Sequence, residues 1–188
     1  MAAYPGGLQV GGGINATNAK EWMDAGASHV IVTSYIFDGA ELNYDKLNKL
    51  VDAAGGTDKV VLDLSCCRKS EDDPNYYVVT DRWQTFSDLS ITPDVLKELS
   101  KYCCEFLIHG VEVEGKRCGI LKDLVQYLGQ HSPIPVTYAG GVQNMEDVEL
   151  VQKLGKNRVD LTIGSALDCF GGTMSYDAVV AWHKSQNQ

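Results

Sequence analysis

Pro135-Val-Thr-Tyr-Ala-Gly-Gly-Val142 reads as a short strand that ends in two glycines, and Val10-Gly-Gly-Gly-Ile14 matches its end at an offset of 128 residues. A second pair, Val30-Ile-Val-Thr-Ser34 and Leu161-Thr-Ile-Gly-Ser165, falls at an offset of 131. Both offsets are about half of the roughly 250 residues of a complete (βα)8 barrel, as expected where two half-barrels repeat. Chance likeness of two glycine turns is the competing explanation.

Working outward, short β-branched runs alternate with helical patterns along the chain. Leu8 to Val10, His29 to Thr33, Val60 to Leu64, Glu105 to His109, Pro135 to Tyr138 and Val159 to Ile163 read as six strands. Between them, Leu121, Leu124, Val125 and Leu128, and then Val148, Val151 and Leu154, keep the 3.6-residue helical period. Thr92-Pro93 is an N-cap followed by a first-turn proline, and Asn144 leads into Glu146 and Asp147, acids placed where a helix dipole favours them. Strand and helix in alternation mean parallel strands with right-handed crossovers, an α/β fold. A doubly wound sheet concentrates glycine after its first strand, whereas here glycine clusters follow several strands, which favours a barrel. Six strand–helix units against the eight of a closed barrel lead to the expectation of a TIM-type barrel short of a quarter, in one domain over residues 1–188, with strand edges open to pairing.

The composition narrows the function. Of 188 residues, 44% are apolar and 22% charged, the balance of a globular protein with its own core. The net charge of −9, with basic residues scattered, argues against a nucleic-acid partner. No apolar run approaches the ~20 residues of a membrane helix. The start, Met1-Ala-Ala-Tyr-Pro-Gly-Gly, has neither a secretory nor a transit pattern, so an intracellular protein is expected. Cys66, Cys67, Cys103, Cys104, Cys118 and Cys169 include no Cys-x-x-Cys and are read as buried reduced thiols, with no structural zinc.

In such barrels chemistry sits at the carboxyl ends of the strands. Gly140, Gly141, Gly164 and Ser165 form two neighbouring turns whose backbone N–H groups can face a phosphate with no Cβ in the way. Gly12, Gly13, Thr33 and Ser34 repeat the arrangement half a barrel earlier, so a substrate with a phosphate at each end is expected. Asp63 interrupts the apolar run Val60-Val-Leu-Asp-Leu64, where a carboxylate is costly unless it is hydrogen-bonded or faces a polar mouth. Glu112 and Glu114 follow the strand that ends at His109, which faces either the mouth or a rim; His29, His131 and His183 read as structural. Tyr76-Tyr-Val-Val-Thr-Asp-Arg-Trp-Gln84 reads as a long insertion, whose Arg82 and Trp83 form either a lid over a flat heterocycle or a plug of the rim.

These stretches, with Thr80-Asp-Arg-Trp-Gln84 and Phe106-Leu-Ile-His-Gly-Val-Glu-Val-Glu-Gly115, resemble in order the motifs of the phosphoribosylformimino-aminoimidazole carboxamide ribotide isomerases of histidine biosynthesis, in their plant and fungal branch. The resemblance implies a (βα)8 barrel that converts a bisphosphate aminoaldose to an aminoketose by an Amadori rearrangement, in the cytoplasm or a plant plastid stroma, with no metal or organic cofactor. It implies phosphate binding at both glycine sites and stacking of Trp83 on an imidazole. By the same carry-over Asp63 matches the family's fifth-strand carboxylate, His109 stands where bacterial members often have Thr, and Glu114 where they commonly have Asp. Glu114 then takes the acid role and Asp63 an orienting one. The family's first two strands and first-strand aspartate match no residues here, which leads to the expectation of weak activity for this chain alone. Two rivals stand beside this reading: the cyclase subunit of imidazole glycerol phosphate synthase, and a noncatalytic phosphate-binding or assembly module.

Overall fold

The computed structural model describes residues 3–186. Met1 and Ala2, at the head of the stretch read above for a leader, and Asn187 and Gln188 lie outside the described residues. The chain runs through β1 (Gln9–Gly11), α1 (Ala19–Asp24), β2 (His29–Val32), a short hairpin of β3 (Phe37–Asp38) and β4 (Glu41–Leu42), α2 (Tyr44–Ala54) and β5 (Val60–Cys67). A second hairpin follows, β6 (Tyr77–Thr80) and β7 (Thr85–Ser90), then α3 (Pro93–Leu99) and β8 (Glu105–Gly110). The remainder is α4 (Lys122–His131), β9 (Val136–Ala139), α5 (Met145–Leu154), β10 (Val159–Thr162) and α6 (Tyr176–Gln186).

Six of these strands pair in parallel in the order β1-β2-β5-β8-β9-β10, the sequence order with the hairpins left out. The fold is therefore α/β, built of six consecutive strand–helix units of a TIM-type barrel. The sheet curls. Gln9 Nε2 on β1 donates to Glu105 Oε2 on β8 at 2.8 Å, although β2 and β5 lie between the two strands. In a flat sheet three interstrand steps would separate them by roughly 14 Å.

Register and alternation then decide which residues share a face. Val30, Val32, Val60, Leu62, Leu64, Phe106, Ile108, Val136 and Tyr138 lie on one face and are essentially inaccessible. Helices cover it, contributing Leu47 and Leu50 from α2, Leu96 and Leu99 from α3, and Leu124 and Leu128 from α4. On the other, concave face stand Gln9, His29, Asp63, Glu105, His109, Thr137 and Asp160, placed there by the pairings Gln9↔His29, Ser65↔His109, Leu107↔Thr137 and Thr137↔Asp160. A parallel strand buried on both faces would read as a continuous apolar run; these alternate because their inner face meets a polar mouth.

The expected helix starts are in place. Thr92 Oγ1 accepts from the Val95 amide at 3.3 Å, and Asn144 Oδ1 from the Asp147 amide at 3.1 Å. Helix α2, which the sequence reading did not single out, is capped at both ends. Asn43 Oδ1 accepts from the Lys46 amide, and Gly55 takes the left-handed conformation at φ 94°.

Two expectations are corrected. The stretch after β5 is not a bare insertion but the antiparallel hairpin β6–β7, which joins the main sheet where Cys66 pairs with Val78. The hairpin β3–β4 has no counterpart in the sequence reading; two-residue strands leave too little alternation to be seen. Of the six cysteines, all free, Cys118 lies exposed on a loop and Cys169 exposed in a 3-10 turn, while Cys66 and Cys103 are buried. Burial pushes the Cys103 thiol up to about 12, so it stays protonated and inert.

The core makes a quantitative prediction. Leu62 is fully buried under the helices, so Leu62→Ala should lower the unfolding free energy by about 2–5 kcal/mol, measured by urea titration.

Candidate active site

The strand-end residues gather at the carboxyl edge of the sheet. Asp63 lies in β5 with its side chain 13% exposed, and His109 lies one residue from the end of β8. His109 Nδ1 and Asp63 Oδ1 are 2.7 Å apart, and the second carboxylate oxygen, Oδ2, accepts from Thr33 Oγ1 at 3.1 Å. Three strand ends are thus joined through one carboxylate, and its burial is compensated by two partners. Burial by itself would push the His109 imidazole down. The hydrogen bond to Asp63 and the charges of Asp63 and Glu114 outweigh it, and the pKa is raised.

The two glycine pairs share one backbone conformation. Gly12 and Gly13 have φ 98° and 68°, and Gly140 and Gly141 have 121° and 78°, all in the left-handed region that suits glycine. Their surroundings differ. A Cβ on Gly140 would come within 2.8 Å of the Gly110 carbonyl, and one on Gly141 within 2.1 Å of the Gly119 carbonyl. The loop after β8 therefore walls in the second pair, and the Gly119 amide donates to the Gly141 carbonyl at 2.9 Å. Gly12 and Gly13 have open space where a Cβ would stand.

Glu114, Gly115, Gly140, Gly141, Thr162, Gly164 and Ser165 line one small cleft. Four expected binding residues are thereby brought together with the expected acid. The Glu114 carboxylate comes within 3.4 Å of where a Gly140 Cβ would stand. Ser34 opens a 3-10 turn next to Thr33, and β1 pairs with β2, which puts the Gly12–Gly13 turn beside it. Arg82 and Trp83 sit apart from the cleft at the tip of the β6–β7 hairpin, Trp83 half exposed. There Asp81, Arg82 and Trp83 take successive φ values of 49°, 54° and 69°, an unfavourable conformation for side-chain-bearing residues, held by the Gln84 amide donating back to the Thr80 carbonyl at 3.1 Å. Glu112 does not face the cleft; its Oε1 accepts from the Arg68 amide at 2.7 Å.

A larger cleft, about 350 Å³, lies elsewhere, between the segment after β5 and the start of α4. Arg68, Glu71, Asp73, Tyr76 and Asp123 line it, and Arg68 pairs with Asp123 at 3.0 Å while stacking over the Tyr76 ring. Sequence reasoning did not find it because its two charged partners are 55 residues apart. Among the described residues, no three His, Cys, Asp or Glu side chains converge to hold a metal ion, and no helix is long and apolar enough to cross a membrane.

A curled parallel sheet of six strand–helix units, with glycine turns at its strand ends, places the chain in the TIM-barrel class of α/β folds. The comparisons narrow the class. The family described as histidine biosynthesis protein matches residues 2–174. A chloroplastic 1-(5-phosphoribosyl)-5-((5-phosphoribosylamino)methylideneamino)imidazole-4-carboxamide isomerase of Medicago truncatula is 54% identical over 99% of the chain. Isomerases of the same name from Neurospora crassa and Yarrowia lipolytica are 47% and 46% identical over 99% and 100% of it. The chain belongs to the histidine biosynthesis protein family. It spans 58% of the length of the Medicago relative and 72% and 73% of the two fungal ones.

The raised His109 pKa predicts a pH dependence of stability. The folded protein holds the His109 proton more tightly than the unfolded chain, so the stabilisation is complete below the ordinary imidazole value of about 6.5 and is lost as pH rises through the higher folded value. Urea unfolding across that window should show stability falling with pH in the wild type and a flatter profile in His109→Gln.

Proposed function

We propose that the chain carries the catalytic strand ends of an aldose–ketose isomerase of histidine biosynthesis, acting on the bisphosphate aminoaldose named for its relatives. The observation that carries this reading is the Glu114 carboxylate inside the cleft lined by Gly140, Gly141, Gly164 and Ser165, with the Asp63–His109 pair on the adjoining strands. The Gly12–Gly13 turn with Thr33 and Ser34 takes one phosphate, and the Gly140–Gly141 and Gly164–Ser165 turns take the other, through backbone N–H groups.

In this reading Glu114 donates a proton to the ribose ring oxygen. The amine lone pair then forms a C=N bond as the C1–oxygen bond breaks. Removal of the C2 proton gives an enaminol, and protonation at C1 with loss of the C2 hydroxyl proton yields the aminoketose. The reaction is redox-neutral overall, moving hydrogen from C2 to C1, and it needs acid and base groups of different environment. Asp63 orients His109, Trp83 stacks on the imidazole of the substrate, and Arg82 contacts it from the same hairpin. The described strands belong to a single partial-barrel domain over residues 1–188. The outer edges of β1 and β10, unpaired among the described residues, favour self-association of two copies. The cytoplasm, or the plastid stroma in a plant, is the compartment that suits this activity.

Gly164 supplies the test. Its φ is not left-handed, and a Cβ there meets nothing within 4 Å. Gly164→Asp should therefore fold like the wild type while placing like charge against a phosphate. Formation of ketose from the aminoaldose, followed by absorbance, should fall at least about tenfold in Gly164→Asp and be abolished in Glu114→Gln. Unchanged turnover in both would overturn the assignment of this cleft.

A further inference from the structure

Thr33 was read above as a phosphate ligand, yet its hydroxyl is engaged by a side chain. Oγ1 donates to Asp63 Oδ2 at 3.1 Å, and the other oxygen of the same carboxylate meets His109 Nδ1 at 2.7 Å. The Asp63 side chain is 13% exposed and that of His109 24%, so water competes weakly for either contact. The chain Thr33–Asp63–His109 crosses three neighbouring strand ends, β2, β5 and β8, in the order in which the sheet pairs them.

We infer that Thr33 is a positioning residue: by holding one oxygen of Asp63 it fixes the carboxylate plane, and with it the tautomer in which His109 presents a bare Nε2 for proton transfer. This rests on the reading of the strand ends as an acid–base site. An ionised carboxylate only accepts hydrogen bonds, so a neutral His109 facing Asp63 must carry its proton on Nδ1, which leaves Nε2 as the free base. A carboxylate held on one oxygen alone can rotate about its Cβ–Cγ bond and lose that alignment. The Thr33 hydroxyl supplies the second anchor. The base and its orienter then form the arrangement that an aspartate and a histidine make wherever a general base must be held in one tautomer. The charged groups around His109 are Asp63 on β5 and Glu114 on the loop after β8. Only Asp63 is hydrogen-bonded to the ring, so the tautomer is set on that side.

The test separates positioning from phosphate binding. Thr33→Val removes the hydroxyl at nearly constant shape, and Thr33→Ser keeps it. In the full chain labelled with 15N-histidine and held at a pH above the raised His109 pKa, where the ring is neutral, the imidazole nitrogen shifts of His109, assigned through His109→Gln, report the tautomer directly. The wild type and Thr33→Ser should show the proton on Nδ1, and Thr33→Val should shift the ratio about tenfold toward Nε2–H. In turnover assays Thr33→Val should lower kcat about tenfold with KM nearly unchanged, and Thr33→Ser should restore it. An unaltered tautomer in Thr33→Val overturns the inference, as does a rise in KM at constant kcat, which assigns Thr33 to phosphate. Should Thr33→Val fail to fold, Thr33→Ala makes the same measurement without the β-branch. A wild type that shows the Nδ1–H tautomer but neither turns over the aminoaldose nor binds the aminoketose sinks the isomerase reading and leaves the positioning intact.

Discussion

The parallel register of β2, β5 and β8 is the constraint on which the site depends. A parallel pair in fixed register puts every second side chain of each strand on the same face, and a slip of one residue would send all of them to the other. Leu62 and Leu64 anchor β5 under the helices, fully buried. Asp63 between them is thereby forced onto the concave face, opposite Leu107 and one alternation from the Ser65↔His109 pair. The hydrogen bond between Asp63 and His109 is thus specified by apolar burial on the far side of the sheet. Packing one layer aims the polar groups of the next.

That division explains what the sequence disclosed and what it withheld. The six parallel strands were legible because each is a run of β-branched or aliphatic residues closed by a turn signal, and their limits moved by only a residue or so, except at β5, which continues through Ser65, Cys66 and Cys67. The repeat was legible as well: Gly12–Gly13 and Gly140–Gly141, 128 residues apart, adopt the same left-handed backbone. The hairpin β6–β7 was not, because its strands pair antiparallel with a register shift between Tyr77 and Val79, and the tight turn at Asp81–Trp83 contains neither glycine nor asparagine to announce it. Within the site, Asp63 stood out because a carboxylate in an apolar run needs a reason. Thr33 carried no signal of its bond to Asp63, since a hydroxyl after a strand serves a phosphate or a carboxylate equally well and only the curvature of the sheet decides.

The two glycine sites show how one backbone conformation is put to different use by its walls. Around Gly140 and Gly141 the loop after β8 closes to contact, and any side chain would strike the Gly110 or Gly119 carbonyl. These glycines are required for close approach as well as for their φ values. Gly12 and Gly13 need only the φ. The enclosed site is therefore the more desolvated of the two, where any hydrogen bond is electrostatically stronger.

It is also the site that contains Glu114, and the two facts bear on each other. In the proposed reaction the step assigned to Glu114 is the donation of a proton to the ring oxygen, and a phosphate held by the backbone of Gly140, Gly141 and Gly164 would seat the adjoining ribose beside that carboxylate. Asp63 has the opposite setting. Thr33 and His109 each engage one of its oxygens, which fixes the plane of the carboxylate. Two carboxylates on neighbouring strand ends thus stand in different environments, one lining a glycine cleft and one held by two side chains, which is the asymmetry that paired acid and base catalysis demands.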